Sequence, residues 1–329
     1  MKIKKIYLWT LIIAGISILG ITIKNKNKAN VVNDCYKIGI LQFIEHDCLD
    51  EARIGFIDGL KELGYENGKN IDLDYKNASG EQSNCILMAN QLVNDNKNLI
   101  LAIATPAAQA VANLTDSVPT LITSVTNPVE SNLVKSNEKP GRNITGTSDL
   151  VPVSKQISLV KQIVPHAKRV AILYSSSEIN SKYQADIAIK ECEKLNLIPI
   201  IYTVSQSNEI QQIVESMKGK ADIIYVPTDN LVVSNMPLVY ETSVSFGIPI
   251  ICSEVNSVKN GAVGTYGIDY EELGKLTAKQ AVDILENKDI PQNMPIKCLN
   301  ENKLLLNKNS IEKLNLKVPD ELMKIAKII

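Results

Sequence analysis

Tryptophan is nearly absent from this 329-residue chain: Trp9 is the only one, and all aromatic residues together make up 5%. Histidine is almost as scarce, with only His46 and His166, so a serine hydrolase would have to draw its base from two candidates. No G-x-S-x-G elbow, Walker loop, G-x-G-x-x-G or H-E-x-x-H is present, which removes the commonest hydrolase, nucleotide-binding and zinc-protease readings. There is no basic excess: the net charge is −1 and the pI about 6.2, which argues against nucleic acid as a partner. Six cysteines, at 35, 48, 85, 192, 252 and 298, form no CxxC pair and no zinc spacing. They read as free thiols acting as small hydrophobes. No enzyme activity, cofactor or metal is expected.

Long apolar runs are also rare, and the exception is at the amino terminus. Lys2, Lys4 and Lys5 precede an uncharged stretch from Ile6 to Ile23, and Lys24, Lys26 and Lys28 follow it. Eighteen residues rising ~1.5 Å each reach about 27 Å, enough to cross a thin hydrocarbon layer. No A-x-A site follows, so an uncleaved signal anchor is expected, with the body on the extracytoplasmic face, or secreted if cleaved. Residues 25–34 are a polar, Lys/Asn-rich linker.

What remains is 45% hydrophobic, long enough for two domains, and organised by alternation. Ala221–Asn230, ADIIYVPTDN, gives the pattern: a short apolar strand, then turn chemistry and a carboxylate. Asn98–Gln109, NLILAIATPAAQ, repeats the device. Ile40-Leu41-Gln42-Phe43 answers to Ile172-Leu173-Tyr174-Ser175, and the run from Pro119 answers to the run from Pro249. These echoes lie about 130 residues apart, far beyond the ~20–50-residue period of solenoids, and so imply two similar domains. Strands alternating with helices predict an α/β chain with two doubly wound parallel-sheet lobes and a ligand cleft between them. The expected boundaries are 1–34 for the anchor and linker, 35–150 plus about 268–296 for the first lobe, and 151–267 plus about 297–329 for the second.

Parallel sheets bind ligands at the carboxyl ends of their strands. The loops there deliver Gln42, Glu45 and His46; Thr105 and Ala107; Ser124 and Asn127; Ser175, Ser176, Ser177 and Asn180; Thr228, Asp229 and Asn230; Glu254; and Tyr266. Hydroxyls and a Pro-initiated helix terminus suit a carboxylate, and carboxylates suit an ammonium, so a zwitterionic amino acid matches both. Phe43, Tyr174 and Tyr266 point to an aromatic one. A nucleoside, a peptide or a membrane-anchored sensory module are the alternatives. Asp229 is the expected ammonium partner, although it could instead cap the helix starting at Asn230.

Four stretches in order, Gly39–His46 (GILQFIEH), Ala102–Gln109 (AIATPAAQ), Tyr225–Asn230 (YVPTDN) and Thr265–Tyr270 (TYGIDY), closely resemble the ABC-transporter substrate-binding protein family that includes tryptophan- and tyrosine-binding members. The resemblance runs from about Tyr36 to Leu285. It implies a type I periplasmic-binding-protein fold whose lobes close by a hinge, and delivery of solute to a membrane permease with a cytoplasmic ATPase. It also implies that Thr105 and the Ala107 backbone bind a carboxylate, that Ser175 to Ser177 contribute from the other lobe, and that Asp229 holds an ammonium. The chain departs from the lipoprotein pattern, because Ile18-Leu19-Gly20 is followed by Ile21 and Cys35 lies too far downstream for lipidation. The apolar helix is therefore the expected tether to the membrane.

Overall fold

The computed structural model describes residues 35–329, so the expected anchor and linker lie outside the described residues. Among the described residues, no helix is long and apolar enough to cross a membrane.

In chain order the strands are β1 (Tyr36–Gln42), β2 (Ile71–Asn77), β3 (Leu99–Ile103), β4 (Thr120–Thr123), β5 (Ile144–Ser148), β6 (Arg169–Ser175), β7 (Ile198–Val204), β8 (Ile223–Val226), β9 (Ile250–Cys252), β10 (Gly264–Gly267), β11 (Lys297–Cys298), β12 (Lys303–Leu306) and β13 (Lys327–Ile328). They form two sheets, ordered β11-β5-β4-β3-β1-β2 and β13-β12-β10-β9-β8-β6-β7. Within each sheet the first five strands of that half take the same order, second-first-third-fourth-fifth, which is the structural form of the internal echo. All pairs are parallel except β10 with β12. Their central strands are buried on both faces: every residue of β3, β4, β8 and β9 is inaccessible or nearly so, which is why they read as unbroken apolar runs rather than alternating ones.

The chain passes between the sheets three times. After β5 it enters the helix Val153–Ile163, which packs against β9 and β10 of the second sheet. After β10 it returns through the helix Tyr270–Leu285, which packs on β4 and β5 of the first, with Thr277 and Thr147 hydroxyls 2.8 Å apart. The third crossing comes after β11, whose pairing with β5 keeps Lys297 and Cys298 in the first sheet; the boundary expected near 297 therefore moves past Cys298.

The returning helix is held by glycine. A Cβ on Gly55 would fall 2.1 Å from the Glu271 carbonyl oxygen, and one on Gly274 2.1 Å from that of Ala52. The helices Asp47–Glu62 and Tyr270–Leu285 thus meet backbone to backbone beside the crossings. One expected helix is two: the run from Asn230 to about Phe246 breaks into Asn230–Ser234 and Met236–Val244. Pro237 has no N–H to continue the ladder, so the helix restarts there.

Candidate functional site

The helices leave both sets of strand ends facing a shared cleft of about 840 Å³, lined by Phe43, Ile44 and Ser79 to Gln82 from the first sheet's loops. Ser177, Glu178, Ser205 to Asn208, Leu231, Ser234 and Asn235 line it from the second. Beside it, the ends of the neighbouring strands bury polar groups with nothing to bind. Thr105 Oγ1, Ser124 Oγ and Asp149 Oδ1 are unpaired at the ends of β3, β4 and β5. Glu254 Oε2, both side-chain polar atoms of Asn256 and Ser257 Oγ are unpaired after β9. A buried polar group without a partner costs roughly 1–3 kcal/mol, so a cluster of them marks a place built to receive a polar guest.

Backbone strain sits at the same strand ends. Ala104 holds φ 79° and ψ 156°, a region that only glycine occupies readily, and Ser124 holds φ 55°. Ala104 immediately precedes Thr105, so the strained peptide sets the direction of that hydroxyl and of the free N–H groups opening the helix Thr105–Ala112. Ala104→Gly is expected to raise stability by about 1 kcal/mol, the relief of strain exceeding the added chain entropy. It should also weaken solute binding several-fold, because the loop loses its preset shape. Denaturant melts and calorimetry on the one variant check both halves.

The electrostatics point the same way. Asp149, Glu178, Asp229 and Glu254 are all buried, and no Lys or Arg among the described residues offsets them. Burial pushes Asp149 up to about 6 and, with the Asp229 charge adding to it, Glu178 to about 8. Burial also raises Asp229, and it drives Glu254 well above the carboxylate range, with Asp149, Asp229 and Glu178 all pushing it further. Four mutually repelling buried acids form a site short of positive charge.

The residues expected from the sequence divide by what their polar atoms already do. Thr105 and Ser124 are buried with free hydroxyls, and Ala107 is buried in the first turn of its helix. Glu254 is buried with a free oxygen, and Asn180 keeps its Oδ1 free while its amide donates to Glu178 and to the Thr228 carbonyl. Ser177 lines the cleft, and its hydroxyl is 2.9 Å from that of Ser175. Glu45 is exposed, at the mouth of a smaller cavity that His46 also lines.

Asp229 has a different role from the expected one. Its Oδ2 accepts from the Ser175 N–H at 2.6 Å and its Oδ1 from the Val232 N–H at 2.7 Å. It caps the helix Asn230–Ser234 and ties the end of β8 to the end of β6, which leaves neither oxygen free for an ammonium. Glu178 does similar work from outside that helix, accepting from the Asn230 and Leu231 N–H groups and from the Asn230 side chain. Gln42 is locked into its own loop by the Ile44 carbonyl, Asp50 and Arg53. Asn127 caps a turn through the Val129 and Glu130 N–H groups. Ser176 donates to the Val204 carbonyl, and Thr228 is held through both its N–H and its hydroxyl by Gln184. Tyr266 is not a stacking platform on the cleft: it packs against the second-sheet core with Lys155 Nζ 5.7 Å above its ring.

Asp149 and Asn256 carry free buried groups that the sequence reading did not single out as site residues. The available signal was positional: each directly follows a buried strand or its loop, with no basic residue nearby.

Two lobes of like topology, with unsatisfied polar groups at facing strand ends, define a solute-binding protein of the periplasmic type. The chain belongs to the ABC transporter substrate binding protein family, whose model matches residues 37–329. A curated relative, a tyrosine-binding protein of Clostridioides difficile strain R20291, is 41% identical over 96% of this chain and 93% of its own. Among solved structures, an ABC domain in complex with L-Trp from Streptococcus pneumonia shares 37% identity with a TM-score of 0.87, covering 90% of this chain and all of that one. A ligand-free, open structure of a substrate-binding protein with adhesive properties from Clostridium difficile shares 39% identity, covering 89% of this chain and 99% of that one, but with a TM-score of 0.69. Family and neighbours alike are substrate-binding proteins rather than enzymes.

Proposed function

We propose that this protein captures a zwitterionic amino acid with an aromatic side chain on the extracytoplasmic face of the membrane, tethered by its N-terminal apolar segment. It then hands the solute to an ABC permease driven by a cytoplasmic ATPase. The observation that carries the reading is the set of buried acids without a cation, beside unpaired hydroxyls at the strand ends. In this reading Asp149 receives the ammonium through its free Oδ1. Thr105, Ser124 and the opening turn of the helix Thr105–Ala112 receive the carboxylate, and Asn256 covers the solute from the second lobe. The ring lies toward Phe43, Ile44 and Leu231, the apolar part of the cleft wall.

Two comparisons support it. The relatives bind, by their names, tyrosine and L-Trp. At nearly equal identity, this structure is more similar to the liganded neighbour than to the open one, as expected of a chain whose lobes close over solute. A ligand with preferential affinity for the closed arrangement would shift the population toward it.

A thermal-shift screen of the twenty amino acids tests the assignment, since a ligand at a hundred times its Kd stabilises by ~2.7 kcal/mol. Tyrosine or tryptophan is expected to give the largest shift. No shift with any amino acid, together with one from a nucleoside or a peptide, would reject it.

A further inference from the structure

One cluster is independent of the proposed solute contacts. His46 stands at the N-cap of the helix Asp47–Glu62 and Cys48 in its first turn, both on the first lobe; Glu254 follows β9 on the second. One ligand-type atom from each, imidazole nitrogen, thiol sulfur and carboxylate oxygen, lies within 4.8 Å of the other two. His46 Nδ1 and Glu254 Oε2 face each other at 3.9 Å, too far to hydrogen-bond. Their side chains are 5% and 2% exposed, and neither atom has any other partner.

We propose that these three residues bind a single borderline divalent transition ion, with zinc the best match, bridging the two lobes. The donor set decides the class: thiolate with imidazole selects zinc and its neighbours, while calcium and magnesium require oxygen shells. Metal bonds of ~2.0–2.3 Å would draw the three atoms together by less than an ångström or so, within reach of side-chain rotation. The imidazole is already oriented for it. His46 Nε2 lies 3.4 Å from Asn230 Oδ1, an acceptor, which places the proton on Nε2 and leaves Nδ1 with its lone pair toward Glu254. A water would take the fourth position. Coordination requires the Cys48 thiolate, so its proton is released to solvent on binding. Two ligands on one lobe and one on the other mean that the full set exists only when the lobes approach, so the ion would act as a clasp on the closed arrangement.

Cobalt provides the test, because a cobalt–thiolate bond has an intense charge-transfer absorption that zinc lacks. The protein is reduced and carries Cys35→Ser and Cys298→Ser, which remove the two exposed thiols. Titration with Co2+ is expected to develop that band to saturation at one equivalent, and Zn2+ to bleach it. Cys48→Ser and Cys48→Ala should each abolish the band, and Glu254→Gln and His46→Gln should each weaken cobalt binding at least tenfold, with melting curves recorded to show that every variant is folded. No band at one equivalent, a band that survives in the folded Cys48 variants, or full affinity in both Glu254→Gln and His46→Gln would overturn the site. None of these readouts uses an amino acid, so the result stands apart from the solute assignment.

Discussion

Asp149→Asn is expected to remove high-affinity amino-acid binding and, at the same time, to make the solute-free protein more stable at neutral pH. The carboxylate is 1% exposed; Tyr270 donates to its Oδ2 at 3.1 Å, and Oδ1 has no partner. Burial without a counter-charge raises its pKa from 3.8 to about 6. Between those values the native state holds a proton that the unfolded chain releases. This contribution to stability is therefore fully present at low pH and is lost as pH rises through 6. Asparagine keeps a carbonyl to accept from Tyr270 but cannot ionise, so above pH 6 the variant should gain up to roughly 2–3 kcal/mol. The gain should vanish below about pH 4. Binding moves the opposite way: an ammonium that loses its buried anionic partner costs ~2–5 kcal/mol, which is about 30-fold to several thousand-fold in Kd. For the wild type, affinity should fall by up to about tenfold per pH unit below 6, as protonation competes with the ammonium. Calorimetry and thermal melts at pH 4, 6 and 8 settle the matter; unaltered affinity in the variant, or an equal stability gain at pH 4 and pH 8, would discard Asp149 as the partner.

The second large effect belongs to the helix crossing. In Gly274→Ala the new methyl would sit 2.1 Å from the Ala52 carbonyl oxygen and 2.6 Å from the Phe56 nitrogen, and both obstacles are backbone. Flexible side chains could yield, but two helices in direct main-chain contact must move apart. Overpacking costs ~1–3 kcal/mol in ordinary cores and more where nothing can relax, so about 3 kcal/mol or more is expected here. Alanine's better helix propensity returns less than about 1 kcal/mol of that. Lys279→Ala, on the exposed face of the same helix, serves as the neutral comparison. Urea titrations that place Gly274→Ala within 0.5 kcal/mol of wild type would show that the helices are not pinned as described.

Local chemistry explains why so much of the architecture could be read in advance. Strands such as Leu99–Ile103 and Ile223–Val226 are short apolar runs closed by Thr-Pro or Pro-Thr turns, and the helix Asp47–Glu62 carries its apolar stripe at helical spacing. The one helix misjudged in this region was broken by Pro237, whose effect depends on where the preceding turn ends. Site residues were harder. Placing Asp229 after a strand was correct, but only the distance to Ser175, fifty-four positions earlier in the chain, reveals that its oxygens are already taken. Tyr266 likewise lies on a strand beside the right loop, and its ring turns to the core.

Sequence by itself determined the elements, their alternation, the doubling of the chain and the strand ends from which a site could be built, because those depend on neighbours a few residues away. Tertiary structure alone decided which polar atoms at those ends remain free, and which side chains of the two lobes meet, as His46, Cys48 and Glu254 do. Hydrogen-bond capacity is limited and is claimed by whatever group packs nearest, and that group is commonly remote along the chain.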